Sequence, residues 1–132
     1  MPKRRSLLAV FAVGFLLAAA RPAGAATDWT PAYKHGFGTA TAPESKVWHT
    51  LQNGELTEVY YPDLGTPSVR DLQFVVGTEH ETDATTHVTQ LVDPESLTYR
   101  QVNTAKSGAY RITKTYAEDP ARNTLLVRVR YE

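Results

Sequence analysis

Beyond residue 44 the chain is written in short runs in which apolar and polar side chains alternate. Residues 45–51 and 55–61 are rich in Val, Trp, Thr and Tyr, with Asn53-Gly54 between them. An Asn-Gly pair between such runs predicts a hairpin, because both central residues of a type I′ turn need positive φ. Pro62 and Pro67 then interrupt the ladder, and residues 68–76 read as a further strand ending at Gly77. Residues 84–92 set Thr86, Val88, Gln90 and Val92 against His87, Thr89 and Leu91. Asp93-Pro94-Glu95-Ser96 predicts a turn, residues 97–103 a strand, and Lys106-Ser107-Gly108 another turn. Residues 109–117 place Tyr110, Ile112 and Tyr116 on one face, with Arg111, Thr113 and Thr115 on the other. After Asp119-Pro120, Leu125, Val127, Val129 and Tyr131 alternate with Arg128, Arg130 and Glu132. Period two throughout is the mark of half-buried antiparallel strands. Strands spaced in this way, with no helical periodicity between them, predict an all-β sandwich or barrel.

The first 25 residues follow another rule. Lys3, Arg4 and Arg5 precede an apolar run from Leu7 to Ala20, and Ala23-Gly24-Ala25 supplies the small residues of a cleavage site. That order predicts a secretory signal peptide, helical in its apolar part and cleaved near Ala25. The run is shorter than the roughly 20 residues that span a bilayer, so no stable membrane span is expected after cleavage. Arg4-Arg5 also fits a twin-arginine export signal loosely. Residues 26–44, dominated by Pro, Gly, Ala and Thr, read as an extended segment leading into a domain at 45–132.

Charge changes meaning once the leader is set aside. The 132 residues carry 14 basic and 14 acidic side chains, but Lys3, Arg4, Arg5 and Arg21 all lie in the leader, which has no acidic residue. Residues 26–132 hold 10 basic and 14 acidic groups, a net charge of −4. A chain of that charge has little to offer nucleic acid, whose affinity for proteins comes mainly from cations at phosphate. The absence of cysteine excludes disulfides, thiolate metal sites and cysteine nucleophiles.

Candidate chemistry is sparse. Gly36-Phe37-Gly38 lacks the strand before it and the helix after it that a dinucleotide fingerprint needs. His80, Glu81, Asp83 and His87 could surround a metal, but a polar surface loop explains the same letters, and no metal or other cofactor is expected. No Gly-x-Ser-x-Gly elbow occurs. Nothing among the carboxylates isolates the acid and base of a glycosidase, so no catalytic residue is assigned. Trp29, Trp48, Tyr60 and Tyr61 border loops, where flat rings can stack on sugars. Burial of Trp48 and one tyrosine in the core is the preferred reading. Arg100, Arg111, Arg128 and Arg130 are spaced to line the solvent faces of neighbouring strands, where they pair with carboxylates or meet a partner domain.

Longer stretches carry a resemblance. Lys34-His35-Gly36-Phe37-Gly38-Thr39-Ala40, Val47-Trp48-His49-Thr50-Leu51 and the whole run 54–74 resemble the opening of the N-terminal domain of glucodextranases and bacterial glucoamylases, in glycoside hydrolase family 15. Asp83-Ala84-Thr85-Thr86-His87, residues 97–103 and residues 110–116 continue the likeness. The resemblance implies an antiparallel β-sandwich, part of a larger galactose-mutarotase-like super-β-sandwich. It also implies a following (α/α)6 barrel that releases β-glucose from the non-reducing ends of α-glucans with inversion. The family's domain is about twice as long as this stretch, and its catalytic glutamates lie in the barrel. The last residues read as a strand without a turn or cap, so a fragment of a larger domain is expected. Trp48, Tyr60, Tyr61 and Arg70 become the candidates for carbohydrate contact or for an interface with the barrel, the strip from Tyr60 to Arg70 foremost. The expected role is a non-catalytic scaffold, with a free-standing carbohydrate-binding module as the alternative.

Overall fold

A computed structural model describes residues 32–132. The expected signal peptide, its helix and Trp29 lie outside the described residues. Among the described residues no helix is long and apolar enough to cross a membrane.

Two antiparallel four-stranded sheets pack face to face. The first has the order β1 (Gly36–Thr39), β2 (Trp48–Gln52), β3 (Glu55–Tyr60) and β4 (Pro67–Val69). A short hairpin of β5 (Val75–Val76) and β6 (Glu79–His80) and a single helical turn α1 (Glu81–Ala84) lead to the second. That sheet runs β10 (Leu125–Tyr131), β9 (Arg111–Glu118), β8 (Thr98–Ala105) and β7 (Thr85–Asp93). The all-β sandwich expected from the alternation is the observed fold.

Local chemistry explains most of the connections. Asn53 and Gly54 both have positive φ, 49° and 78°, and they turn β2 into β3 as the Asn-Gly signal predicts. Thr57 is an extra residue in β3, where the register shifts, and this bulge leaves Leu56 inward opposite Leu51. Asp93 accepts hydrogen bonds from Ser96 Oγ at 2.6 Å and from the Glu95 amide at 3.0 Å, which closes the β7–β8 turn.

Three readings need correction. The stretch 26–44 is not simply a lead-in, because Gly36–Thr39 is an edge strand paired with β2. The run 68–76 is not one strand. It divides into β4 and β5, joined to β3 between them only by a Leu56–Leu72 bridge. The segment around Glu81 is not a surface loop, since Glu81 is fully buried at the start of α1.

The interior is unusually polar. Leu51, Leu56 and Tyr116 form the apolar centre, with Val59, Tyr99, Leu125 and Val127 packed around it. Beside them the inward rows of β8 and β9 bury Gln101, Asn103, Lys114 and Glu118. Buried polar groups are tolerated only when hydrogen-bonded. Lys114 Nζ lies 2.6 Å from Glu81 Oε1, donates to the Gly54 carbonyl, and sits 5.3 Å from the centre of the Phe74 ring. Asn103 Nδ2 donates to Glu81 Oε2 at 2.7 Å and to Gly54 O at 2.8 Å, while the Phe74 amide donates to Glu81 Oε1 at 3.2 Å. Tyr116 donates to Gln101 Oε1 at 2.8 Å, and Gln101 Nε2 reaches Glu55 O and Thr89 Oγ1, each at 3.2 Å. A second buried pair joins His49 Nδ1 of the first sheet to Glu118 Oε1 of the second. The His49 ring stacks on Tyr116 and lies directly over Gly38, where a Cβ would come within 2.1 Å of it.

Breaking a buried ion pair strands the remaining charge, at a cost of about 3–5 kcal/mol. Lys114→Met and Glu81→Gln should each lower the unfolding free energy by about that amount. The double variant, which leaves neither member of this pair stranded, should lose less than the two single losses combined. Urea unfolding of the three variants followed by circular dichroism checks this.

Candidate functional site

The aromatic and basic candidates separate on the folded chain. Trp48 lies outside the apolar centre, so its expected burial in the core is not what the structure has. Strand alternation turns His49 inward and Trp48 outward, and Trp48 stands opposite Tyr60 in the β2–β3 register. Tyr60 is half-buried, and burial, followed by the charge and hydrogen bond of Glu58, raises its pKa. Tyr61 is exposed, and the next residue, Pro62, shares with Trp48 the wall of an open groove. Arg70 stands apart at the end of β4, exposed, with its Nε 4.0 Å from Asp71. The first three candidates therefore cluster at one end of the first sheet, and Arg70 does not join them.

The four arginines do converge. Arg128 pairs with Thr115 and Thr115 with Arg100, so two guanidinium groups flank one threonine across three strands. In the next row Arg130 pairs with Thr113, and Thr113 with Val102. Arg100, Arg111, Arg128 and Arg130 line a cavity of about 390 Å³ on the outer face of this sheet, and Glu132 is the one carboxylate in that lining. Glu132 is held by Arg111 Nη2 at 2.9 Å and Arg130 Nη2 at 2.8 Å. The Arg111 hydrogen bond, with the charges of Arg130 and Arg111, keeps its carboxyl below the usual range.

The metal quartet does not assemble. His80 and Asp83 are exposed, Glu81 is committed to Lys114, and His87 faces inward on β7 beside His35, with ring centres 6.1 Å apart. Burial, followed by repulsion from His35, Lys106 and Lys114, lowers the pKa of His87. Among the described residues no three His or acidic side chains are grouped as a metal would need. Gly36-Phe37-Gly38 belongs to strand β1, with none of the geometry of a phosphate-binding loop.

Sequence reasoning missed the charged cluster inside the sandwich, although a signal was present. Period two puts Lys114 on the same side of β9 as Ile112 and Tyr116. Burial, partly offset by Glu81, lowers the Lys114 pKa. Glu55, beside this cluster, is raised from 4.5 to about 7, first by burial and then by the negative charges of Asp71 and Glu81. A carboxyl near neutrality can mark an acid catalyst, but ion-pair networks produce the same shift. Here Glu81, the neighbouring carboxylate, is locked to Lys114 in the interior, so the two do not flank a space for a sugar.

The shift of Glu55 has a sign. An acid whose pKa rises on folding binds its proton more tightly in the folded state. Its stabilising contribution is therefore complete below about 4.5 and is lost as pH rises through about 7. The melting temperature should fall over that window, and Glu55→Gln, a permanent mimic of the protonated form, should flatten the fall and melt higher above it. Paired thermal melts across the window check this.

Comparison with known proteins places these features. The family model described as "Glucodextranase, domain N" matches residues 19–132. Over 114 residues the chain is 41% identical to a glucoamylase of Clostridium sp. (strain G0005), a match covering 83% of this chain and 16% of that protein. The crystal structure of a bacterial glucoamylase complexed with acarbose is similar with a TM-score of 0.74 at 39% identity, covering 79% of this chain and 16% of that one. The chain thus spans about 16% of the length of these relatives, which extend well beyond the part it matches. It belongs to the glucodextranase domain N family, the N-terminal domain of glucodextranases and bacterial glucoamylases.

Proposed function

We propose that this chain is the non-catalytic N-terminal portion of an exported, exo-acting α-glucosidase of glycoside hydrolase family 15, and that it supports an (α/α)6 catalytic barrel. One observation carries the reading: most of this chain matches its relatives, yet it corresponds to only 16% of each. The leader at 1–25 supports export. The interior supports a structural role, because the buried carboxylates of Glu81 and Glu118 are committed to internal pairs with Lys114 and His49.

Packing against a barrel requires a surface that is neither core nor ordinary solvent face. The outer side of the second sheet is of that kind. Arg100 and Arg128 lie across Thr115 from each other, and Val88 and Leu126 on the same face are each 56% exposed. Apolar area ringed by arginine is the composition of protein interfaces. The strip from Tyr60 to Arg70, with Tyr61, Leu64 and Val69 exposed, is a second docking candidate.

The test is a chimera. Residues 26–132 replace the matching segment of a full-length glucoamylase of the family. The chimera should release glucose from maltooligosaccharides and melt close to its parent, and this chain by itself should release none. Arg100→Glu with Arg128→Glu should lower the chimera's melting temperature and leave that of the isolated chain unchanged. Tyr61→Ala with Arg70→Ala reports on the other strip in the same way. Glucose release by the isolated chain would overturn the reading.

A further inference from the structure

We infer that the groove beside Trp48 is a binding site for a neutral oligosaccharide, a glucan chain held away from any catalytic centre. The choice of glucan rests on the proposed parent function, whereas the choice of saccharide rests on the groove itself. Its volume is about 610 Å³, within the roughly 300–1,000 Å³ of small-molecule clefts. The Trp48 indole, Pro43, Pro62, Ala40 and Ala42 supply an apolar lining, and Thr39, Thr41, Ser45 and Lys46 a polar one. A pyranose has the complementary surface, with C–H groups on its face and hydroxyls around its edge.

One further fact favours a hydroxyl-bearing ligand over a purely apolar one. Lys46, which is exposed, adds a donor, and the lining residues include no carboxylate that would occupy it. A single ammonium suits the hydroxyls of a neutral sugar and falls short of the paired guanidinium groups that bind anions strongly.

The site is also held in shape before any ligand arrives. The Lys46 amide donates to Asn123 Oδ1 at 2.7 Å, which ties the β1–β2 loop to the β9–β10 turn. Thr39 Oγ1 donates to the Val47 carbonyl at 3.0 Å across the base of the same loop. On its other side Trp48 pairs with Tyr60, whose hydroxyl is engaged by Glu58. Preorganisation of this kind lowers the ordering cost of binding.

The experiment titrates maltoheptaose into the purified chain and follows tryptophan fluorescence, with Trp29→Phe isolating the Trp48 signal. A saturable change is expected, and Thr41→Arg, which fills the groove from its exposed rim, should weaken it by roughly tenfold or more. Trp48→Ala, followed by affinity electrophoresis in soluble starch, should lose retardation, while Tyr131→Ala on the opposite sheet should keep it. Thr41→Arg leaves the core untouched, so the inference stays testable even where Trp48→Ala destabilises the fold. No saturable change with the unmodified groove, or a change indifferent to Thr41→Arg, would overturn the inference. The chimera reports on the packing role separately, so either idea can fail while the other stands.

Discussion

Everything in this sandwich is arranged around a lysine that has been taken out of water. Removing an ammonium and a carboxylate from solvent costs several kcal/mol for each ion, and their attraction offsets that cost only when the remaining donors and acceptors are also met. Lys114 and Glu81 come close to that condition. The ammonium has the carboxylate, the Gly54 carbonyl and the Phe74 ring, and the carboxylate has Lys114, Asn103 and the Phe74 amide. These partners come from β9, β8, the β2–β3 turn, the segment before β5, and α1. No single hairpin can satisfy the lysine, so the pieces must be in place together. Gly54 is central to this, since a Cβ there would come within 2.6 Å of Asn103 Oδ1.

A polar interior has consequences for the exterior. The rows of β7, β8 and β9 that face the first sheet carry Thr, His, Gln, Asn, Lys and Glu beside Tyr, Ile and Ala. Some apolar residues of that sheet are consequently displaced outward, Val88 among them. The resulting outer surface mixes valine and leucine with guanidinium groups. Such a surface is poorly suited to water alone and well suited to another protein surface. The polar core and this outer face are thus two sides of one pattern of alternation.

That same inversion decided how far the sequence could be read. The strands, the Asn53-Gly54 hairpin and the gathering of Arg100, Arg111, Arg128 and Arg130 on an outer face all follow from period two, which does not depend on which face is buried. Burial itself was harder to read. Hydrophobicity assigns Trp48 inward and His49 outward, whereas the structure does the reverse, because His49 has Glu118 to pair with and Gly38 and Tyr116 to lie between. Glu81 reads as a surface residue because its partner is 33 residues away in sequence, and local pattern says nothing of such a pairing. The division of 68–76 was hidden for a related reason, since between β4 and β5 the chain keeps only the Leu56–Leu72 bridge to β3, a pairing that local pattern does not encode.

The core also sets the geometry of the groove. β1 is only four residues long and would be a weak edge by itself. It is kept in place because Gly38 admits the His49 ring beneath it, and His49 is held in turn by Glu118 of the other sheet. β1 and β2 carry the loop that forms the wall opposite Pro62, and Asn123 at the far sheet fixes that loop a second time. The groove therefore depends on the same buried His49–Glu118 pair that joins the two sheets.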